Sequence, residues 1–224
     1  MLSLSPEPDE ESMKRLREYS ANEASEAMSL PEPVVEGESG SGPKVAVLDL
    51  GVRRDTVAAL KDRGCRLKIF PAEASAGDIL VEGFDGIVIA GGPGNPRSWP
   101  QALSCVIRLS QSKCPVFGVG LGHQLLAMAR GGETERMPRG HRGPGQPVRD
   151  VASGRVLTVA QNHGYVVTKL PEGGKVSYIN CNDLSCEGIE YEDGKSFSVQ
   201  FVPGEDMFDK FVMLCKEGER NASC

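Results

Sequence analysis

From Lys44 onward the chain alternates short, mainly apolar runs with segments in which apolar residues recur every three or four positions. Lys44–Leu50 (KVAVLDL), Arg66–Phe70, Asp85–Ala90 (DGIVIA) and Pro115–Gly118 read as strands. Between them, Asp55–Arg63, Ser75–Val81, Pro100–Ser110 and Leu121–Ala129 read as helices, with Leu103, Val106 and Ile107 forming an apolar stripe in the third. Strands without polar alternation, each followed by a helix, predict a parallel sheet covered on both faces. After Gly131-Gly132 the runs shorten and become rich in β-branched residues, at 146–151, 155–160, 175–179, 188–191 and 196–201. A final amphipathic helix is expected over 206–216, with Met207, Phe208, Phe211, Val212 and Leu214 facing the core. The expected fold is therefore α/β: an open, mostly parallel sheet flanked by helices, with an added β-rich second half. No internal repeat is visible.

Residues 1–42 follow a different rule. They hold ten acids and three bases, a net of −7 within a chain whose total is −6, so the remainder is close to neutral at +1. They also carry Pro6, Pro8, Pro31, Pro33 and the run Gly37-Glu38-Ser39-Gly40-Ser41-Gly42, a composition too poor in apolar surface to offset ordering entropy. This segment is expected to be an acidic, disordered tail and linker, with the folded domain over 43–217 and a short C-terminal tail over 218–224. Within it, Met13, Leu16, Ala24 and Ala27 lie at helical spacing across 12–30, which leaves two readings open: a solvated charged segment or a helix that docks on a partner.

Composition narrows the function classes. At 224 residues, 39% of them apolar, there is ample chain for a real core. Seven cysteines without a C-x-x-C pair fit reduced thiols better than a disulfide framework, and no metal-ligand spacing or GxxxxGK phosphate loop occurs, so neither a metal nor a cofactor is expected. No apolar run reaches the 18 or so residues of a membrane span, and the N-terminus is acidic where a secretory signal would be basic. A cytoplasmic location without membrane or nucleic-acid partners is the expectation. Arg136, Arg139, Arg142 and Arg149 amount to at most a small patch for an anionic ligand.

In open α/β sheets ligands lie beyond the carboxyl ends of the strands. Two junctions there stand out. Gly91-Gly92-Pro93-Gly94-Asn95-Pro96 follows a buried strand, as either a plain tight turn or a loop whose backbone N–H groups approach a ligand. Gly118-Val119-Gly120-Leu121-Gly122 has the small-x-X-x-small frame of a nucleophile elbow, in which the central residue should be Ser or Cys; here it is Gly120.

These stretches carry a resemblance. Residues 45–216 resemble the class I glutamine amidotransferase domain, and more narrowly the glutaminase (small) subunit of carbamoyl-phosphate synthetase. The matching blocks include Asp49-Leu50-Gly51, Gly91-Gly92-Pro93-Gly94-Asn95-Pro96, Leu121-Gly122-His123-Gln124-Leu125-Leu126-Ala127, Gly140-His141-Arg142-Gly143, Gln161-Asn162-His163-Gly164-Tyr165 and Cys186-Glu187-Gly188, in the family's order.

The resemblance implies a Cys nucleophile on the elbow, a His base and an orienting Glu near the C-terminus, and ammonia passed from glutamine to a synthetase partner. Position by position, the nucleophile falls on Gly120, the base on Val202 and the carboxylate on Gly204, so no catalytic residue is intact. The binding half is present: Gly92 and Leu121 as oxyanion-type N–H donors, with Gly94, Gln124, Asn162, Gly164 and Tyr165 lining a glutamine cleft. His123, His141 and His163 fall where the family carries histidines that are not the base. Cys114, at the far end of the elbow strand, should lie roughly 20 Å from the elbow and cannot replace the thiol.

Two functions follow as expectations. One is a catalytically inactive pseudo-glutaminase that binds a protein partner, through the acidic tail, or a small ligand such as glutamine or a related amino acid. The other is a scaffold small subunit of an ammonia-dependent carbamoyl-phosphate synthetase. The family's folded N-terminal domain gives way to the acidic segment, which argues against stable assembly with a synthetase large subunit and so favours the first.

Overall fold

The computed structural model describes residues 9–18 and 30–222. A ten-stranded sheet forms the centre of the fold. Its parallel part is β3 (Arg66–Pro71), β2 (Lys44–Asp49), β4 (Gly86–Ala90), β5 (Val116–Val119) and β10 (Phe197–Val199). Successive residues of these strands face opposite sides, and both sides are covered, which is why the strands read as unbroken apolar runs. On one face Leu48, Ile87 and Ile89 pack with α3 (Ala76–Leu80), α4 (Pro100–Ser110) and α5 (Leu121–Ala129). On the other, Val47, Val88 and Phe117 pack with α2 (Arg54–Asp62) and α6 (Glu205–Ala222). Phe117 is the hub of that second face, stacked on Phe197 at 4.5 Å between ring centroids and 5.9 Å from both Phe208 and Phe211.

The second half is antiparallel. β6 (Glu133–Asp150) and β7 (Val156–Lys169) form one long bulged hairpin, and β8 (Gly174–Asn180) and β9 (Cys186–Tyr191) extend the sheet, with β9 joining it to β10. The expected strands at 146–151 and 155–160 are only the tip of this hairpin. Pro138, Pro144 and Pro147, with three glycines between Gly140 and Gly145, interrupt its alternation, and the register shifts at Arg136/His141 and Gly143/Gln146 absorb them. The tip closes through Asp150, whose Oδ1 accepts from the Ala152 and Ser153 amides.

Three expectations change at the ends of the chain. α1 (Glu10–Glu18) begins earlier than the helix anticipated over 12–30, capped by Asp9, whose Oδ1 accepts from the Ser12 amide at 2.7 Å; residues 19–29 lie outside the described residues. The disordered tail over 1–42 is corrected at its C-terminal end. β1 (Val34–Glu36) pairs antiparallel with β3, Leu30 donates its amide to Asp49, and Gly42 donates to the Gly64 carbonyl. The full strand order is thus β1-β3-β2-β4-β5-β10-β9-β7-β6-β8. Pairing with the otherwise open edge of β3 supplies backbone hydrogen bonds that composition does not reveal, and the Glu36–Lys61 ion pair at 2.7 Å neutralises one of the acids. Finally, α6 continues to Ala222 where a tail was expected from 218, because Lys216, Glu217 and Glu219 are good helix formers. No helix among the described residues is long and apolar enough to cross a membrane.

Candidate functional site

The carboxyl ends of β4 and β5 carry the chemistry-bearing loops. Gly120 joins β5 directly to α5 at φ +60°, ψ −114°, a conformation strained for any residue with a Cβ, and its amide donates to the Val199 carbonyl of β10 at 2.9 Å. The turn is held tight by its neighbours. A Cβ on Gly122 would lie 1.9 Å from the Ile89 carbonyl oxygen, one on Gly118 2.8 Å from the Gly122 oxygen, and one on Gly91 2.3 Å from the Leu121 nitrogen. Position 120 differs: a Cβ there would meet only the Gly91 Cα, at 3.9 Å. The elbow therefore keeps open the space a side chain would need.

A cleft of about 550 Å³ opens in front of the elbow. Of the residues expected to bind ligand, Gly92, Gly94, Leu121, Gln124, Asn162 and Gly164 line it; Tyr165 does not. The backbone carbonyl of Tyr165 acts one step back, accepting from Gln124 Nε2 at 2.9 Å and facing His163 Nδ1 at 2.8 Å. Gln124 is buried, and its amide also donates to Gln200 Oε1 at 2.7 Å. These two acceptors orient the side chain so that its own Oε1 has no hydrogen-bond partner among the described residues.

The three positions onto which the resemblance places the catalytic residues divide. Gly120 and Val202 both border the cleft, and Val202 is tied to β7 by donating its backbone N–H to the Ala160 carbonyl at 3.0 Å. Gly204 lies outside it, exposed at the start of α6, where its carbonyl accepts from Met207. Arg142, Gln161 and His163, which lie within the matching blocks, also line the cleft, as do Arg53 and Gln200, which no motif marks in the sequence. Arg53 is held by Asp55, its Nε 3.0 Å from the carboxylate, and that bond keeps the guanidinium charged. Arg142 is exposed and makes no ion pair among the described residues, whereas Gln200 follows β10 and reaches the cleft through the crossover topology.

No base faces the elbow among the described residues. His123 is fully buried, with Nδ1 2.8 Å from Ser198 Oγ, and burial pushes its pKa down to about 3. His163 borders the cleft, but burial pushes it down to about 4, its Nδ1 donates to the Tyr165 carbonyl, and its Nε2 faces Gln161 Oε1 at 3.0 Å and not the elbow. His141 sits between Asp183 and Glu187, at 3.0 and 3.1 Å. No described cysteine borders the cleft. Cys114 hydrogen-bonds the Phe84 carbonyl before β5 begins, and burial raises the thiol pKa of Cys65, Cys105 and Cys186 to about 11 or 12.

The class I glutamine amidotransferase family model matches residues 46–206, which takes in most of the sheet, the elbow and the cleft but not the body of α6. The chain belongs to this family. Within it, the chain is similar to the carbamoyl phosphate synthase small chains of Clostridium perfringens (37% identical over 182 residues, 78% of this chain and 52% of the relative) and Listeria monocytogenes (36% over 222 residues, 93% and 59%). It thus spans between half and three-fifths of the length of these relatives. The Listeria alignment covers more of the chain than residues 43–224 alone supply, so it reaches into the acidic segment. Among solved structures, a GMP synthase homologue from Thermoplasma acidophilum has the same fold (TM-score 0.71, 21% identity, 81% of this chain and 98% of that one). A glutamine amidotransferase from Thermotoga maritima is a more distant match (TM-score 0.59, 17% identity, 80% and 85%).

Proposed function

We propose that this amidotransferase is catalytically silent and acts by binding, with its cleft holding glutamine or a related amino acid and its acidic segment available to a protein partner. The observation that carries this reading is Gly120. Amidotransfer by this fold needs a thiolate at the elbow, made reactive by the helix N-terminus and a neighbouring imidazole. Here the elbow presents no side chain, Val202 stands across the cleft, and the histidines nearby are buried or engaged. Loss of nucleophile and base together leaves only the residual contribution of binding and oxyanion stabilisation, orders of magnitude below turnover.

Binding is supported by polar groups that remain unengaged. Gln124 Oε1, buried at the cleft wall, is an acceptor that an amide or ammonium N–H would satisfy once a small shift of the side chain exposes it, and Arg142 supplies a cation for a carboxylate at the cleft rim. Calorimetric titration with glutamine, glutamate and asparagine tests this: saturable heat with glutamine is expected, and its absence with all three would leave partner binding as the only role.

A second reading is favoured by the similarity to carbamoyl phosphate synthase small chains, which reaches into the acidic segment. In it the chain is a scaffold subunit of an ammonia-dependent synthetase, assembled with a large subunit. Co-expression with the synthetase large chain separates the two: a stoichiometric complex with ammonia-dependent carbamoyl phosphate formation selects the scaffold, and no complex selects the independent binding protein.

A further inference from the structure

Behind the cleft wall formed by Gln161 and His163, three neighbouring strands bring together His141 of β6, His163 of β7 and Glu187 of β9. The two histidines are register partners, their rings edge to face at 4.9 Å, and Glu187 is fully buried.

The outer nitrogen of each ring is already assigned. His141 Nε2 lies 3.0 Å from Asp183 Oδ2 and carries the hydrogen of that bond; its Nδ1 accepts from Asn180 Nδ2 at 3.3 Å. His163 Nδ1 donates to the Tyr165 carbonyl. His163 Nε2 is then a lone pair facing oxygens, and His141 Nδ1, whose lone pair takes a hydrogen from Asn180 at 3.3 Å, lies against Glu187 Oε1 as well. His141 Nδ1 is 3.1 Å from Glu187 Oε1, and His163 Nε2 is 3.8 Å from the same atom and 3.0 Å from Gln161 Oε1. Turning the Gln161 amide does not help, because its nitrogen already serves Glu187 Oε2 at 3.0 Å and the flip would set oxygen against oxygen. The cluster therefore lacks positive charge at its centre. One proton would satisfy one of these contacts; one cation would engage all three inner atoms once the Asn180 amide and the Ser185 hydroxyl, which donates to Glu187 Oε1 at 3.2 Å, turn away.

We infer that His141 Nδ1, His163 Nε2 and Glu187 Oε1 form a site for a divalent transition-metal ion of the Zn²⁺ type. Two imidazoles and one carboxylate suit Zn²⁺ or Co²⁺ rather than the all-oxygen preference of Mg²⁺ or Ca²⁺. Tetrahedral ligands at about 2.0 Å from a metal are about 3.3 Å apart. The observed 3.1 and 3.8 Å bracket that spacing, and all three atoms lie within 4.8 Å of one another. Both outer nitrogens are held by a carboxylate or a carbonyl, the arrangement that fixes ligating histidines in the correct tautomer. Two residues of this part of the fold, His163 and Gln161, border the cleft. The ion would rivet the hairpin to β9 beside the ligand cleft.

The test uses the full chain, stripped with chelator and dialysed against Zn²⁺ or Co²⁺. One equivalent per chain is expected, and the Co²⁺ form should show visible bands of a four-coordinate nitrogen and oxygen site without the near-ultraviolet band of a thiolate ligand. Glu187→Gln and His141→Asn should each weaken binding at least tenfold, whereas Cys181→Ser, at an exposed thiol close by, should not change it. Absence of stoichiometric binding, a thiolate band, or an unchanged affinity in both ligand variants would overturn the site and leave a proton as the shared charge. Should a variant fail to fold, the stoichiometry and spectrum of the unmodified chain decide.

Discussion

Gly120 donates its backbone N–H to the carbonyl of Val199 at 2.9 Å, which locks the elbow to the strand leading into Val202. This bond joins the two positions, Gly120 and the Val199–Val202 segment, onto which the resemblance places a nucleophile and a base. A vacant elbow that had been reshaped would be expected to lose this bond and the tight packing of Gly118, Gly122 and Gly91 around it.

The frame should accept a thiol. Gly120→Cys meets no neighbour within 3.9 Å at its Cβ, so its cost is only that of the positive φ, about 1–3 kcal/mol in urea unfolding. Gly122→Ala, whose Cβ would press on the Ile89 carbonyl at 1.9 Å, should cost more than that. The new thiol at the head of α5 should be alkylated with an apparent pKa below the ordinary value near 8.5, followed by mass spectrometry of its peptide against pH. Adding Val202→His should raise the alkylation rate further.

Gln124 should govern ligand affinity. Gln124→Leu removes the orphan acceptor together with the bonds to Tyr165 and Gln200. Any glutamine affinity measured by calorimetry should fall at least tenfold, corresponding to the roughly 1–3 kcal/mol of a lost buried hydrogen bond.

Acid should destabilise the fold through a buried histidine. His123 is held near 3 in the folded chain and titrates near 6.5 when unfolded, so between these values the unfolded chain binds more protons and stability falls as pH falls. The slope from this group approaches about 1.4 kcal/mol per pH unit between pH 6 and 4. Asp193 adds a loss at lower pH. Burial raises its pKa, but hydrogen bonds from Ser196 and Arg130 outweigh that and hold it at about 2, so its contribution disappears as pH falls from about 4 to 2. Urea midpoints measured in EDTA should decline below pH 6.5, and less steeply in His123→Asn.

The end of the acidic segment should matter to stability. Deleting 1–42 removes β1, the Leu30–Asp49 bond and the Glu36–Lys61 pair. Compared with deletion of 1–29, it should lower the unfolding free energy by about 1–3 kcal/mol. Equal stability of the two deletions would contradict the role of β1.

The parts of this structure that were legible in the sequence are those governed by local pattern. Lys44–Leu50 and Asp85–Ala90 read correctly because burial on both faces removes polar alternation. Val34–Glu36 did not, since three residues in an acidic, proline-rich stretch become a strand only through the exposed edge of β3. The hairpin from Glu133 to Lys169 was hidden by prolines that its bulges accommodate. At the site, Gly92, Gly94, Gln124, Asn162 and Gly164 came from family motifs. Arg53 and Gln200 reach the same cleft from distant strands and carry no spacing signal. The His141, His163 and Glu187 cluster is likewise invisible in one dimension, because its members sit on three strands.

The central claim, that an intact amidotransferase frame here performs no amidotransfer, is tested most directly by ammonia release from glutamine by the purified chain at high protein concentration. The account predicts a rate indistinguishable from the protein-free solution. Turnover that is saturable in glutamine and abolished by Gln124→Leu would contradict it.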